Sequence, residues 1–149
     1  MTTPQPTEKA PESPHRRPGA SWWQAGSTGV VAAVAANLLL WGAGHLVGAS
    51  MAHPDRTGSI VDVAVGDVVL ATAVPFTAGF CAAVALSLLW RGFLRTAQIT
   101  GSALALATIA GSLSLDTDTA TRAVLALMHL ALVPAVWLSL EAVRRRTLS

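Results

Sequence analysis

Four long stretches without a formal charge constrain this chain more than any other feature of its sequence. Residues 30–49, 68–90, 99–115 and 123–140 contain no Asp, Glu, Lys or Arg. A helix rises about 1.5 Å per residue, so roughly 17–25 residues cross a hydrocarbon core of about 30 Å. Because lipid offers the backbone no hydrogen-bond partners, each stretch is predicted to be a membrane-spanning helix.

The composition favours a membrane protein over two alternatives. Only 12% of the 149 residues are charged and 52% are apolar, whereas a soluble domain carries about 25% charge. Four such helices leave too little polar surface to solvate a water-soluble bundle. A cleaved signal peptide ending near residues 47–49 is disfavoured, because signal cores span only about 7–15 residues and three more stretches follow.

The chain is therefore expected to be an all-α transmembrane four-helix bundle. Residues 1–24 are polar and proline-rich and are predicted to be a disordered cytoplasmic tail. Residues 25–143 form the membrane domain, and residues 144–149 form a basic cytoplasmic tail. The expected spans lie at about 29–49, 68–90, 99–115 and 122–141.

Lys and Arg residues predict the orientation of the bundle. Of the ten in the chain, eight lie in the N-terminal tail, the link between spans two and three, and the C-terminal tail. Only Arg56 and Arg122 lie in the other two links, which are acidic instead. Positive residues accumulate on the cytoplasmic side, so both termini are expected inside, in a multi-pass protein of the cell inner (plasma) membrane.

The two outer links differ in length. In the first, apolar and polar residues partly alternate over residues 60–65, as in a short strand. No partner strand is evident, so we expect a packed loop over the mouth of the bundle. Residues 53–55 resemble a turn, and Asp67 is placed to cap the second span. The second outer link, residues 116–119, is short enough to make spans three and four antiparallel neighbours.

Small residues are the predicted contacts between helices, because they let backbones approach closely in lipid. Gly44 and Gly48 are four residues apart in the first span, while Gly79 and Gly111 lie in the second and third. These four glycines are the expected packing positions.

A few polar side chains fall at membrane depth, where they are costly. Asn37 and His45 share one face of the first span, and His129 lies about two turns into the fourth. Together with Ser112 and Asp116 at the rim, they form a candidate polar pocket that opens outward. Either this pocket holds a small ligand, an ion or a titrating proton, or its members hydrogen-bond across helices and fix their register.

No catalytic residue, metal site or cofactor is predicted. The sequence contains no HExxH, P-loop or GxSxG motif, and its single cysteine, Cys81, excludes an internal disulfide. A haem between His45 and His129 is an alternative that the sequence leaves open. The net charge of +2 lies largely in the tails and does not indicate a nucleic-acid surface.

Two segments resemble a known family. Residues 35–41 (AANLLLW) and 121–130 (TRAVLALMHL), together with 112–115 (SLSL), are similar to the domain-of-unknown-function family 6069. The resemblance covers about residues 25–143. It implies a small actinobacterial four-helix protein of the bacterial inner membrane without an assigned activity, and it singles out Asn37 and His129.

The sequence thus leads to one functional hypothesis and two alternatives. We expect a non-enzymatic membrane protein whose partners are the lipid bilayer and either itself or another membrane protein, without nucleic acid. The first alternative is a small transporter or ligand-binding bundle that uses the polar pocket. The second is a membrane enzyme.

Overall fold

A computed structural model describes residues 21–55, 57–90 and 92–147 of the chain. Residues 1–20, most of the predicted tail, lie outside the described part. The elements are four helices and two short strands, in the order α1 (Trp22–Leu46), β1 (Ala52–Pro54), β2 (Ile60–Asp62), α2 (Val65–Ser87), α3 (Phe93–Leu113) and α4 (Thr119–Thr147). The protein is therefore mostly helical, as predicted, but it also contains two short strands.

Three of the four helices are long and apolar enough to cross a membrane, namely α1, α2 and α4. The helix α3 is not among them, although it has 21 residues. It begins six residues before the predicted span, so it includes Arg95 and Gln98, and its serines and threonines dilute the apolar residues further. Of the four predicted spans, three are therefore long and apolar enough to cross a membrane.

Local hydrogen bonds set the ends of α1. The backbone N–H of Ser21 donates to Gln24 Oε1 over 2.7 Å, and the helix begins at Trp22, inside the segment assigned to the tail. At the other end the Ala49 N–H donates to the Gly44 carbonyl (2.9 Å), and the Gly48 N–H donates to the His45 carbonyl (3.2 Å). This is a Schellman cap, which needs the positive φ of +79° at Gly48.

The other helices also differ from the predicted spans. The helix α2 begins at Val65 and ends at Ser87, three residues earlier than predicted at each end. Asp67 was predicted to precede and cap this helix, but it lies inside the first turn, where its carboxylate accepts the N–H of Ala64, the residue before the helix, over 3.1 Å. The helix α4 continues through Arg144, Arg145 and Arg146, which were assigned to a tail.

The first outer link contains a β-hairpin where a loop was predicted. Residues 60–62 pair in antiparallel register with residues 52–54, which overlap the predicted turn. Asp55 closes the hairpin, because its Oδ1 accepts the N–H groups of Thr57 (2.7 Å) and Ser59 (2.9 Å). A strand of three residues is too short for its pattern to show in the sequence, so the partner strand was missed.

The helices form an open bundle rather than a closed one. The helix α1 packs between α2 and α4, and α4 packs on its other side against α3. The helices α2 and α3 contact each other far less. We call the end that carries the hairpin the hairpin end, and the opposite end, with exposed Trp22, Trp23 and Trp90, the tryptophan end.

Glycines bring α1 close to its neighbours, but only one of the predicted four does so. Gly44 is buried, and a Cβ added there would lie 3.2 Å from Val124 of α4. Gly48 lies beyond the end of α1, in its cap. A Cβ added at Gly79 or Gly111 would meet nothing within 4 Å, so these two do not pack helices within this chain.

Two glycines that the sequence analysis did not single out make the closest contacts. A Cβ at Gly26 would lie 2.5 Å from the Phe80 ring of α2, and one at Gly29 would lie 2.0 Å from Ser139 Oγ of α4. In lipid, packing of this kind replaces the hydrophobic effect as the attraction between helices. These two contacts hold α1 against both of its neighbours.

We predict that Gly29→Val destabilises the bundle by about 1–3 kcal/mol, because the added methyl groups overlap Ser139 and Phe76 and force α1 outward. The matched control is Gly42→Val in the same helix, where an added Cβ meets nothing within 4 Å. Thermal unfolding of both variants in detergent micelles measures the difference. Equal losses would contradict the packing assigned to Gly29.

Candidate functional site

A groove of about 470 Å³ separates α2 from α3, and α4 forms its floor. Its walls are mainly apolar. Along α2 the lining runs from Ala71 to Leu86, along α3 from Phe93 to Thr108, and along α4 from His129 to Leu140. It follows from the weak contact between α2 and α3, which leaves these two faces without a partner among the described residues.

Polar groups from all three helices meet at the end of the groove nearer the hairpin. The last lining residues in that direction are Thr72 on α2, Thr108 on α3 and His129 on α4. Ala71 lies beside Thr72, and its carbonyl lacks the usual helical partner because residue 75 is proline. We call this set the polar end of the groove.

The imidazole of His129 is oriented by two contacts. Its Nδ1 lies 2.7 Å from the carbonyl of Leu125, one turn earlier in α4, and 3.3 Å from Ser112 Oγ of α3. A carbonyl only accepts, so Nδ1 carries the proton that this hydrogen bond requires. The neutral ring therefore has an unprotonated Nε2, for which the described residues provide no hydrogen-bond partner.

Asn37 is linked to the groove through Thr72. The Asn37 side chain is buried, and its Nδ2 donates to Thr72 Oγ1 over 2.8 Å, joining α1 to α2. Its Oδ1 is buried too and has no hydrogen-bond partner within the described residues. Thr72 therefore lines the groove, and the hydrogen bond from Asn37 orients its hydroxyl.

The structure brings some of the predicted pocket residues together and separates others. Ser112 contacts His129, and Asn37 reaches the polar end through Thr72. His45 is exposed, packs its ring against Trp41 with 4.2 Å between centroids, and does not line the groove. Asp116 is exposed in the α3–α4 link and does not line it either.

The same geometry bears on metals and haem. No group of three His, Cys, Asp or Glu side chains lies close enough to hold a metal ion within residues 21–55, 57–90 and 92–147. A haem between His45 and His129 requires that both imidazoles face one space. His129 lines the groove and His45 does not, so the two rings lack this arrangement.

A second polar cluster, which the sequence analysis missed, fixes the hairpin to the bundle. Asp118 caps α4, because its Oδ1 accepts the Thr121 N–H over 2.9 Å. Its Oδ2 accepts the hydroxyls of Ser50 and Thr121. The fully buried Thr121 in turn accepts the Met51 N–H over 2.9 Å. We call these four residues the hairpin latch.

Two further hydrogen bonds attach the hairpin to the helical bundle. The Thr117 hydroxyl donates to the Ala52 carbonyl over 2.6 Å, and Trp41 Nε1 donates to the Val63 carbonyl over 2.8 Å. Asp118 followed three residues later by Thr121 is a recognisable helix-capping pattern in the sequence. Its contact with Ser50, 68 residues earlier, has no such local pattern.

A third cluster lies near the tryptophan end, and it was missed as well. The fully buried Gln98 donates to the Trp137 carbonyl (3.1 Å) and to Glu141 (3.3 Å). Glu141 forms ion pairs with Arg144 and Arg145. The Arg95 guanidinium lies 4.7 Å from the centre of the Trp137 ring, a cation–π contact. This cluster joins α3 to α4.

Comparison with known proteins gives one match. The sequence model of a family described as a family of unknown function (DUF6069) matches residues 17–147. This confirms the resemblance inferred from residues 35–41 and 121–130. No curated protein and no solved structure matches the chain.

We predict a pH-dependent contribution of Asp118 to stability. The hydrogen bond from the Ser50 hydroxyl, followed by those from Thr121, holds the pKa of Asp118 well below its usual value of 3.8. Because the pKa is lower in the folded state, the ionised carboxylate stabilises the fold at pH values above 3.8. This contribution to stability is lost as the pH falls below 3.8. Asp118→Asn, which keeps one capping oxygen but loses the charge, should therefore be less stable than wild type at neutral pH.

Unfolding midpoints measured between pH 7 and the acid range test this prediction. The gap between wild type and Asp118→Asn should narrow as the pH falls below 3.8. Asp116→Asn, in the same link, is the control and should follow wild type throughout. A constant gap at every pH would contradict the role given to the carboxylate.

Proposed function

This chain belongs to the family of unknown function DUF6069, and we propose that it is a four-span membrane protein that binds an apolar molecule in the groove between α2 and α3. The observation that carries the proposal is the groove itself. The helices α2 and α3 stand apart and leave a mainly apolar space of small-molecule size between them. Binding from the surrounding lipid would bring an apolar molecule to that space without passage through water.

The polar residues of α3 support its crossing of the membrane with the other three helices. Gln98 is fully buried and hydrogen-bonded to α4. Thr108 and Ser112 donate their hydroxyls to carbonyls of α3 itself, over 2.7 Å and 3.2 Å. Side chains satisfied in this way need no water, so a helix of modest hydropathy is compatible with lipid when α4 covers it.

The hairpin latch also supports the crossing of the membrane by α3. It joins the α1–α2 link at Ser50 to the α3–α4 link at Asp118, so both links lie at the hairpin end. The helix α3 is 21 residues long, which corresponds to about 31 Å. A helix of that length between the two ends matches the thickness of the hydrocarbon core.

The charges at the two ends support cytoplasmic termini. The hairpin end carries five aspartates, at positions 55, 62, 67, 116 and 118. The tryptophan end carries Arg95 and the run Arg144–Arg146, beside exposed tryptophans of the kind that favour the membrane interface. We therefore place the tryptophan end in the cytoplasm and the protein in the cell inner (plasma) membrane.

The dimensions of the groove favour a small ligand as its occupant. Its volume of about 470 Å³ lies within the range of about 300–1,000 Å³ that is typical of small-molecule sites. Among the described lining residues His129 is the single titratable side chain, and we propose binding as the role of the groove.

We predict the orientation from single cysteines introduced into a Cys81→Ala background. Ser59→Cys in the hairpin turn and Asp116→Cys in the α3–α4 link should react with a membrane-impermeant maleimide on intact cells. Trp90→Cys in the α2–α3 link should react only after permeabilisation. Protection of Asp116→Cys in intact cells would contradict the crossing of α3, and labelling of Trp90→Cys would contradict the orientation.

We predict that filling the groove abolishes binding. A hexadecane carrying a diazirine should photolabel lining residues of α2 and α3 in the purified protein, and excess hexadecane should compete. Gly79→Leu places a side chain in the groove, where an added Cβ meets nothing within 4 Å, and should weaken the competed labelling about tenfold or more. Gly111→Leu is the matched control, because an added side chain is equally unobstructed there but lies outside the lining. It should leave the competed labelling unchanged.

A further inference from the structure

We infer that the occupant of the groove is a single-chain carboxylic acid whose head group binds His129 Nε2 and whose alkyl chain lies along α4 towards the tryptophan end. The inference rests on the proposed function and names the class of ligand. It depends on three features of the groove, which are the change in polarity along its floor, its length and the chemistry of its polar end.

The polarity of the groove changes along its length in the way an amphiphile requires. On α4, His129 is followed by Leu132, Val136 and Leu140, which continue the floor over about 16 Å. The walls opposite this floor include Phe76 and Phe80 of α2. The α3 wall carries Thr96 and Thr100 in this half, but the floor and the α2 wall are apolar, so a molecule with one polar end and one apolar chain places its polar atoms at the polar end.

The length of the groove suits an extended apolar chain. Its α2 side runs from Ala71 to Leu86, over about 23 Å, and its volume is about 470 Å³. A space that is drawn out along the helices in this way favours a free fatty acid, a fatty alcohol or a similar single-chain molecule.

The polar end distinguishes an acid from the other head groups. Nδ1 of His129 donates to the Leu125 carbonyl, so Nε2 is left as an acceptor facing an incoming O–H. The O–H of a carboxylic acid donates to Nε2, and the hydrogen bond becomes charge-assisted where the proton moves to the ring. An ammonium head group finds no carboxylate among the lining residues to neutralise it.

A neighbouring group of the polar end supplies a further hydrogen bond. The second carboxyl oxygen is an acceptor, and the hydroxyl of Thr72, which lies at the same end of the groove, accepts from Asn37 and has its own proton left to donate. Asn37 holds Thr72 in place by donating to its Oγ1 over 2.8 Å. The two residues that the sequence analysis ranked first, Asn37 and His129, thus act at one site, with His129 as the contact and Asn37 as a positioning residue.

Competition against the diazirine-labelled hexadecane tests the inference. In wild type, palmitic acid should displace the probe at a concentration about tenfold lower than hexadecanol does, which corresponds to about 1.4 kcal/mol. His129→Leu should remove this preference while hexadecane still displaces the probe. His45→Leu, which alters a histidine outside the lining, is the matched control and should keep the preference.

The outcomes separate the two proposals. If hexadecane does not displace the probe from wild type, the proposed apolar-ligand function fails. If it does, but wild type shows no preference for the acid or His129→Leu keeps that preference, only the carboxylic acid fails. A second measurement covers misfolding of the variant: palmitic acid added to ¹⁵N-histidine-labelled wild type should shift the Nε2 resonance of His129, and an unchanged resonance would overturn the inference.

Discussion

The close approach of α1 to both of its neighbours determines the rest of the architecture. Gly29 meets Ser139 of α4, and Gly26 meets Phe80 of α2, so one helix is in tight contact on two sides. The helix α3 takes the remaining face of α4, which places it on the far side from α1. Because α2 packs mainly against α1 and α3 packs mainly against α4, α2 and α3 are left apart, and the groove is the space between them.

Much of this fold can be predicted from the sequence, because apolar length is a property of single segments. The four helices, the antiparallel pair α3–α4 and the support of α2 by Asp67 all follow from local patterns. The packing glycines do not, since Gly26 and Gly79 look alike until their neighbours are known. Gly26 meets an aromatic ring, and Gly79 faces open space.

The candidate site, too, can be predicted from the sequence only in part. Polar residues at membrane depth are costly, so Asn37 and His129 can be selected from the sequence. Their common location depends on Thr72, which lines the groove and binds Asn37. The α4 partners of Gln98 lie 39 to 43 residues away along the chain, and Ser50 lies 68 residues from Asp118, so no local pattern marks these long-range contacts.

The dependence of α3 on α4 has a consequence for how the protein is made. A ribosome delivers α3 first, and insertion into the bilayer is governed by the hydropathy of each segment as it emerges. Within the part of the chain that the structure describes, the side chain of Gln98 finds its hydrogen-bond acceptors on α4. In the four-span arrangement that we propose, these two helices are therefore suited to enter the bilayer as a hairpin pair, with α3 remaining at the translocon until α4 has been synthesised.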